Sequence, residues 1–267
     1  MIAISVASCK KDKTDDSVTP PVATGSAIIA GTKSCVLTKL SYDGGDYETI
    51  EYDTQNKPVK DNFYSNGVAD GYMKIIYTGN DISQEYYNKS NVKTDTYTFK
   101  LGSNGYISTA TNSYTYTNSG FNYTDTDNNT LTYSVDGYLA KIVATTITTS
   151  NKPGYVTQTS TNTTTYTYTN GNRVSGQQTG GSGTYNTVYE YYTDKPNNLP
   201  NTDDEILTFL LGKRSTNLIK KEVVTSGTSP VFTANYTYAF NADGLISKQT
   251  TVSGTNTYNQ LFEYSCK

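Results

Sequence analysis

Strict alternation of aromatic with small polar residues governs what this chain can fold into. Tyr97, Phe99 and Leu101 alternate with Thr98 and Lys100, and Leu131, Tyr133 and Val135 with Thr132 and Ser134. Tyr166 and Tyr168 sit among Thr165, Thr167 and Thr169; Tyr236, Tyr238 and Phe240 flank Thr237 and Ala239; Phe262, Tyr264 and Cys266 keep the same spacing. A period of two puts every aromatic ring on one face of an extended strand. Tyr and Thr both favour that conformation. Between the runs stand Asp43-Gly44, Asn66-Gly67, Asp70-Gly71, Asn104-Gly105, Asp136-Gly137, Asn170-Gly171 and Asp243-Gly244. Such pairs accept the positive φ of tight hairpin turns. Neighbouring runs should therefore pair antiparallel. The pattern predicts an all-β chain with a single large antiparallel meander of about 14–16 strands, curled or barrel-like.

Composition narrows the chemistry. The chain holds 46 Thr, 26 Tyr and 25 Asn, with neither Trp nor His. Without His there is no Ser-His-Asp or Cys-His catalysis and no His-ligated metal. No apolar run approaches the roughly 18 residues of a spanning helix. A net charge of −3 argues against nucleic acid as a partner.

A degenerate repeat runs through the strands: an aromatic-x-aromatic strand, a Gly turn, an apolar residue one or two places on, then a polar strand. It spans Tyr97 to Ile107, Tyr133 to Leu139 and Tyr236 to Ile246, with weaker copies from Tyr47, Tyr72 and Tyr166. The unit resembles in shape the YD repeats of large secreted shells.

The amino terminus speaks to location. Val6, Ala7, Ser8 and Cys9 resemble a bacterial lipobox, in which small residues precede a Cys that takes the lipid. Residues 1–8 then form the tail of a truncated signal peptide, and 9–33 a flexible, lipid-anchored tether too polar to bury. Lys10, Lys11 and Asp12 after Cys9 resemble the export signal of surface-exposed lipoproteins in the Bacteroidota, and Asp16-Ser17-Val18 resembles that group's O-glycosylation sequon, with Ser17 as acceptor. The expected location is the bacterial outer membrane, facing the cell surface, with the membrane touched through the anchor alone. The folded domain is expected over residues 34–267.

One segment breaks the alternation. Around Thr202 to Gly212, Asp204 and Glu205 suit a helix start, Gly212 a stop, and Lys213 and Arg214 its negative end. A short helix is expected near 203–211, packing Ile206, Leu207, Phe209, Leu210 and Leu211 into or across the sheet.

Lys195-Pro196-Asn197-Asn198, Phe209 to Lys213, and Asn217-Leu218-Ile219-Lys220-Lys221, with the last hairpin from Tyr236 to Lys248, resemble the carboxy-terminal signature of a family of Bacteroides lipoproteins of unknown function with a porin-like fold. The resemblance covers most of residues 35–267 and implies a curled or closed antiparallel sheet. It brings no catalytic residues. The strands themselves favour a soluble form of the porin-like barrel that the resemblance implies: a membrane barrel needs an apolar lipid-facing band, whereas Thr161 to Asn170 offers Thr and Asn or a pair of Tyr. The final Lys267 in place of an aromatic points the same way.

Cys35 lies in the first apolar run and Cys266 in the last strand. They either pair in an oxidising compartment, which would set first and last strands side by side, or are unrelated thiols. Asp125 to Asp136 echoes a calcium loop but has Thr130 where Gly is needed, so no metal or other cofactor is expected. The Gly176 to Gly183 loop lacks a P-loop Lys. Tyrosine is the remaining binding candidate. Tyr86-Tyr87 and Tyr191-Tyr192 should set adjacent rings on opposite faces, one of each away from the core, where a ring can stack on sugar; the same rings serve equally as cross-strand ladders. The sequence favours a non-catalytic surface module binding a glycan or another macromolecule. The alternatives are a structural or adhesin-like cell-envelope protein and a glycoside hydrolase whose carboxylate pair the spacing does not single out.

Overall fold

The computed structural model describes residues 28–30, 33–181, 183–199 and 207–267. The candidate lipid-bearing Cys9 and the candidate glycosylation site Ser17 lie outside the described residues.

The chain is an antiparallel closed barrel. A short β1 (Ile28–Ala30) precedes β2 (Lys33–Tyr42), β3 (Tyr47–Tyr52), β4 (Pro58–Ser65), β5 (Val68–Thr78), β6 (Asp81–Asn88), β7 (Lys93–Leu101), β8 (Ile107–Asn118) and β9 (Phe121–Tyr133). Then come β10 (Leu139–Ser150), β11 (Gln158–Thr169), β12 (Asn172–Gly180), β13 (Gly183–Pro196), β14 (Asn217–Ser226), β15 (Ser229–Phe240), β16 (Ile246–Ser253) and β17 (Asn256–Cys266). Each strand from β2 to β17 pairs with its sequence neighbours, and β17 returns to β2 with Cys266 opposite Cys35 and Phe262 opposite Leu40. The ring has sixteen strands, β2 to β17. The two cysteines form a disulfide, with Cα atoms 4.0 Å apart. Ser34 and Lys267 exchange both backbone hydrogen bonds beside it, each at 3.0 Å.

The tether ends sooner than the composition suggests. Ile28, Ile29 and Ala30 pair with Cys35, Ser34 and Lys33. Two β-branched residues and an Ala suit a strand, and β3 reaches only Lys39 to Ser41 of β2, which leaves the lower edge of β2 open to β1.

Closure gives the alternation an inside and an outside. Cross-strand partners share a face. Ile50 opposite Asp61, Asp61 opposite Met73, Met73 opposite Tyr86, and Ile82 opposite Phe99 all point into the barrel. The outer wall carries Lys39–Glu263, Lys60–Glu51, Lys93–Glu85 and Lys221–Glu190 ion pairs at 3.1–3.4 Å. Hydroxyl pairs Thr98–Thr111, Ser113–Thr126, Thr115–Thr124, Thr145–Thr161 and Thr167–Ser175 cover much of the rest.

The repeat has a structural counterpart at one end. In the turns beginning at Asp53, Gly102, Ser134 and Asn241, the first residue's N–H bonds the carbonyl four places on, and the fourth residue's N–H bonds back to the first. The fourth residue, Asn56, Gly105, Gly137 or Gly244, takes the required positive φ. The next strand then opens on a residue buried in the barrel: Pro58, Ile107, Leu139 or Ile246. The repeat unit is thus a turn that delivers an apolar side chain to the barrel floor.

Two turn assignments change. Asp70-Gly71 lies inside β5, where the register shifts between Phe63 and Tyr64. An added Cβ on Gly71 would sit 2.4 Å from the Tyr87 carbonyl oxygen, so this Gly serves close strand approach at a bulge instead of a turn. Val135 leaves the strand pattern for the β9–β10 turn and is fully exposed. The expected helix near 203–211 is described only from residue 207, where Thr208–Leu210 forms one 3-10 turn; the rest lies outside the described residues. Leu207 and Leu210 are buried, as the packing of this segment requires.

Replacing Cys35 and Cys266 together by Ala should lower stability by up to about 5 kcal/mol, the loop-entropy ceiling for a bridge spanning 231 positions. Urea unfolding of wild type and variant measures it, and an unchanged midpoint would remove the bridge from the account of stability.

Candidate functional site: a plugged floor and an open tyrosine mouth

The two ends of the barrel differ. The lower end carries the repeat turns and the long β13–β14 connection. That connection folds inward: the Lys213 N–H donates to the Gly137 carbonyl at 2.8 Å, Thr216 N–H to Gly171 at 3.0 Å, and Asn198 Nδ2 to Gly244 at 2.9 Å. Leu207 and Leu210 join Leu37, Leu40, Ile50, Ile75, Ile107, Leu139, Leu218, Ile246 and Phe262 in one buried apolar cluster. The lower lumen is therefore plugged.

Above the floor, tyrosines brace the wall. Tyr77, Tyr133, Tyr168 and Tyr264 each donate a hydroxyl hydrogen bond of 2.7–3.0 Å to the first carbonyl of the preceding strand, at Pro58, Ile107, Leu139 and Ile246. Burial pushes the pKa of all four phenols up and keeps them neutral. A buried hydroxyl without its partner carries a desolvation cost of about 1–3 kcal/mol, so these rings are structural.

The doubled tyrosines divide differently from the expectation. Tyr86 faces inward, edge-on to Tyr97 at 5.7 Å, while Tyr87 lies outside, stacked on Tyr72 at 4.8 Å and bonded to Glu85. That pair straddles the wall as predicted. Tyr191 and Tyr192 do not. The Tyr191 hydroxyl donates to the Arg173 carbonyl at 2.8 Å and the Tyr192 hydroxyl to the Tyr236 carbonyl at 2.8 Å. The register of β13 breaks after Glu190 and again after Tyr191, which undoes strict alternation there.

The upper end is open, and an unforeseen cluster stands in it. Tyr114 and Tyr116 on β8, Tyr123 on β9 and Tyr155 in the β10–β11 connection form a chain of rings with centres 6.1, 5.5 and 5.4 Å apart. Tyr114 and Tyr116 stay 43% and 39% exposed although their register partners Asp125 and Tyr123 mark the inner face. The Tyr114 hydroxyl donates to buried Asp125 at 3.1 Å, a bond that pushes the pKa of that phenol up. Asp127 lies two residues on and accepts from Thr146 at 2.6 Å. This places the calcium-like Asp125 run on β9. Among the described residues no group of three or more Cys, Asp or Glu side chains is placed to hold a metal ion. The mouth thus offers exposed ring faces beside carboxylate acceptors, Asp125 buried and Asp127 half-buried, the usual complement of a polyhydroxylated ligand. Tyr-x-Tyr before the Ser119-Gly120 turn is the one sequence signal for it.

A closed, all-antiparallel barrel of sixteen strands is the porin-like architecture. Among solved structures the chain is similar to the crystal structure of a porin-like protein from Bacteroides uniformis, with a TM-score of 0.56 and 14% identity over 86% of this chain and 98% of that one. At that identity the likeness concerns the fold. No family model matches the chain, and no curated protein matches it.

Burial raises the Tyr189 phenol to about 12 against an unfolded value near 10. A folded value above the unfolded one favours the neutral, folded form. That contribution is complete below pH 10 and disappears as pH rises through about 12. Tyrosinate absorbance during alkaline titration should therefore rise in more than one step, with the braced phenols ionising only as the barrel opens. A single ionisation step near pH 10 with the fold intact would contradict the bracing.

Proposed function

We propose that the chain is a non-catalytic, lipid-anchored module of the outer-membrane surface whose tyrosine mouth binds a glycan. The observation that carries this reading is the exposed Tyr114–Tyr116–Tyr123–Tyr155 cluster at the one end of the lumen that the β13–β14 connection leaves open. Sugar rings stack on aromatic faces, and Asp125 and Asp127 supply acceptors for hydroxyls.

Water, and not lipid, suits the outer wall. A membrane barrel presents an apolar band outward and a polar interior. Here the charge pairs and Thr ladders are outside, with stacked Tyr72 and Tyr87 among them, and the buried Leu and Ile cluster is inside. Membrane attachment then rests on the Cys9 anchor. Because β1 and the start of β2 lie at the plugged end, a tether there directs the mouth outward.

A panel of host and dietary glycans tests the binding reading. Saturable binding to the full chain is expected, reduced roughly two- to tenfold in Tyr116→Ala, the share of one aromatic contact of about 0.5–1.5 kcal/mol. Silence across the panel by a folded protein, or binding untouched by the substitution, would overturn it. Location has its own test. Cys9→Ala should release the protein from membranes into buffer without detergent; retention in the membrane fraction would return the wall to lipid.

A further inference from the structure

The tyrosine mouth has a polar layer at and just below its rings. On the inner face of β8, Asn112 stands between Tyr97 of β7 and Asp127 of β9, and the next inward residue, Tyr114, faces Asp125. On the other side of β9, Asp127 meets Thr146 and Asp125 meets Thr148. Cross-strand partners lie side by side on one face, so Asn112, Asp125 and Asp127 form one patch of the upper lumen. The strands that frame it, β7 to β10, are described throughout.

The oxygens of this patch are buried beyond what they bond. Asn112 is 6% exposed, and its Oδ1 has no hydrogen-bond partner. Asp125 is 9% exposed; its Oδ2 accepts from Tyr114, while its Oδ1 has no partner. Asp127 Oδ1 is taken by Thr146. Native interiors leave few such atoms unpaired. Carbonyl and carboxylate oxygens only accept, so whatever answers them must bring donors. Two carboxylates two residues apart on one strand face also repel each other, a cost that a cation removes and a neutral hydroxyl does not. Partial desolvation and then the Asp125 charge push the Tyr116 phenol up; at Tyr114 the Asp125 hydrogen bond does so first, followed by desolvation and the charges of Asp125 and Asp127. The carboxylates therefore act on the same rings whose exposed faces attract a cation. A hard metal ion would need a fuller shell of oxygens and would leave those rings unused. A primary ammonium has three donors and no acceptor, and it is at home on aromatic faces.

We infer that the ligand of the mouth carries a primary ammonium group on a sugar scaffold: an amino sugar with its amine free. The ammonium sits among Asp125 Oδ1, Asn112 Oδ1 and the Asp127 carboxylate, and the sugar face lies on Tyr114 and Tyr116. This rests on the mouth being a glycan site and adds which glycans it takes.

Matched oligosaccharides of glucosamine, N-acetylglucosamine and glucose, joined by the same linkage, separate charge from shape. In calorimetric titration of the full chain at mildly acidic pH, where the sugar amine is charged, the glucosamine oligomer should bind about tenfold or more tighter than either neutral oligomer. Its affinity should fall as salt is raised. Asp125→Asn should remove most of that preference while leaving any binding of the neutral oligomers in place. Asn112→Leu should weaken glucosamine binding severalfold at an unchanged or higher melting temperature, because its orphaned carbonyl has no partner in the protein to lose. If the Leu variant does not fold, Asp125→Asn and Asp127→Asn carry the test. Lys39→Gln, on the outer wall, is the neutral control. Neutral oligomers that bind as tightly as the glucosamine oligomer would overturn the inference and leave the glycan mouth standing. Silence of all three would overturn it too, and the wider glycan panel then decides the mouth. Saturable calcium binding that is lost in Asp125→Asn and that blocks glucosamine would overturn it by assigning the patch to a metal.

Discussion

The pairing of β17 with β2 is the constraint on which everything else depends. A sheet of Thr and Tyr strands with free edges would recruit any other extended chain. Here the Ser34 and Lys267 backbones exchange two hydrogen bonds, and the Cys35–Cys266 bridge lies beside them. The seam joins the first and last wall strands, so it closes the longest loop that the chain can make. Closure also decides what the side-chain alternation means. In an open sheet the two faces would compete for burial; in a ring one becomes lining and the other coat.

Charge pairs and Thr ladders sit on the coat, and the apolar cluster sits in the lining. The four Lys–Glu pairs on the wall each contribute little in water, and the Thr ladders add cross-strand bonds of modest strength. Stability comes from the floor, where the apolar cluster and the braced tyrosines meet. Each brace joins a strand end to the start of its neighbour, at the very residue the repeat turn delivers. Turn, apolar residue and tyrosine hydroxyl therefore form one device, used at four places around the ring.

Local signals wrote most of the fold into the sequence. Period two, the Asn-Gly and Asp-Gly turns and the repeat suffice for the meander, and the cysteines hint at the seam. What escaped depends on contacts between residues far apart in sequence. Asp70-Gly71 has a turn's composition but serves a bulge, because the need for Gly arises from the Tyr87 carbonyl of the next strand. Tyr191 and Tyr192 look like Tyr86 and Tyr87, yet two register breaks in β13 redirect them. The mouth cluster needs Tyr155 from a connection to meet Tyr123. Arg173, Lys213 and Tyr238 share a pocket only because the β13–β14 connection turns inward.

That inward turn explains why recognition in this barrel belongs at its ends. Along the wall, many outward side chains join ladders and ion pairs beside exposed Ile76, Val188 and Leu261, and inward ones join the core or the braces. The β13–β14 connection is the one long crossing that interrupts this economy. It fills the floor while the opposite rings stay exposed, and its own Lys213 and Arg214 line the same pocket as Arg173. One insertion thus creates two unlike environments on a single axis: an aromatic, acid-edged mouth and an apolar, basic-lined floor. The braced wall between them fixes the side chains at both ends, so each end presents a surface set by the fold.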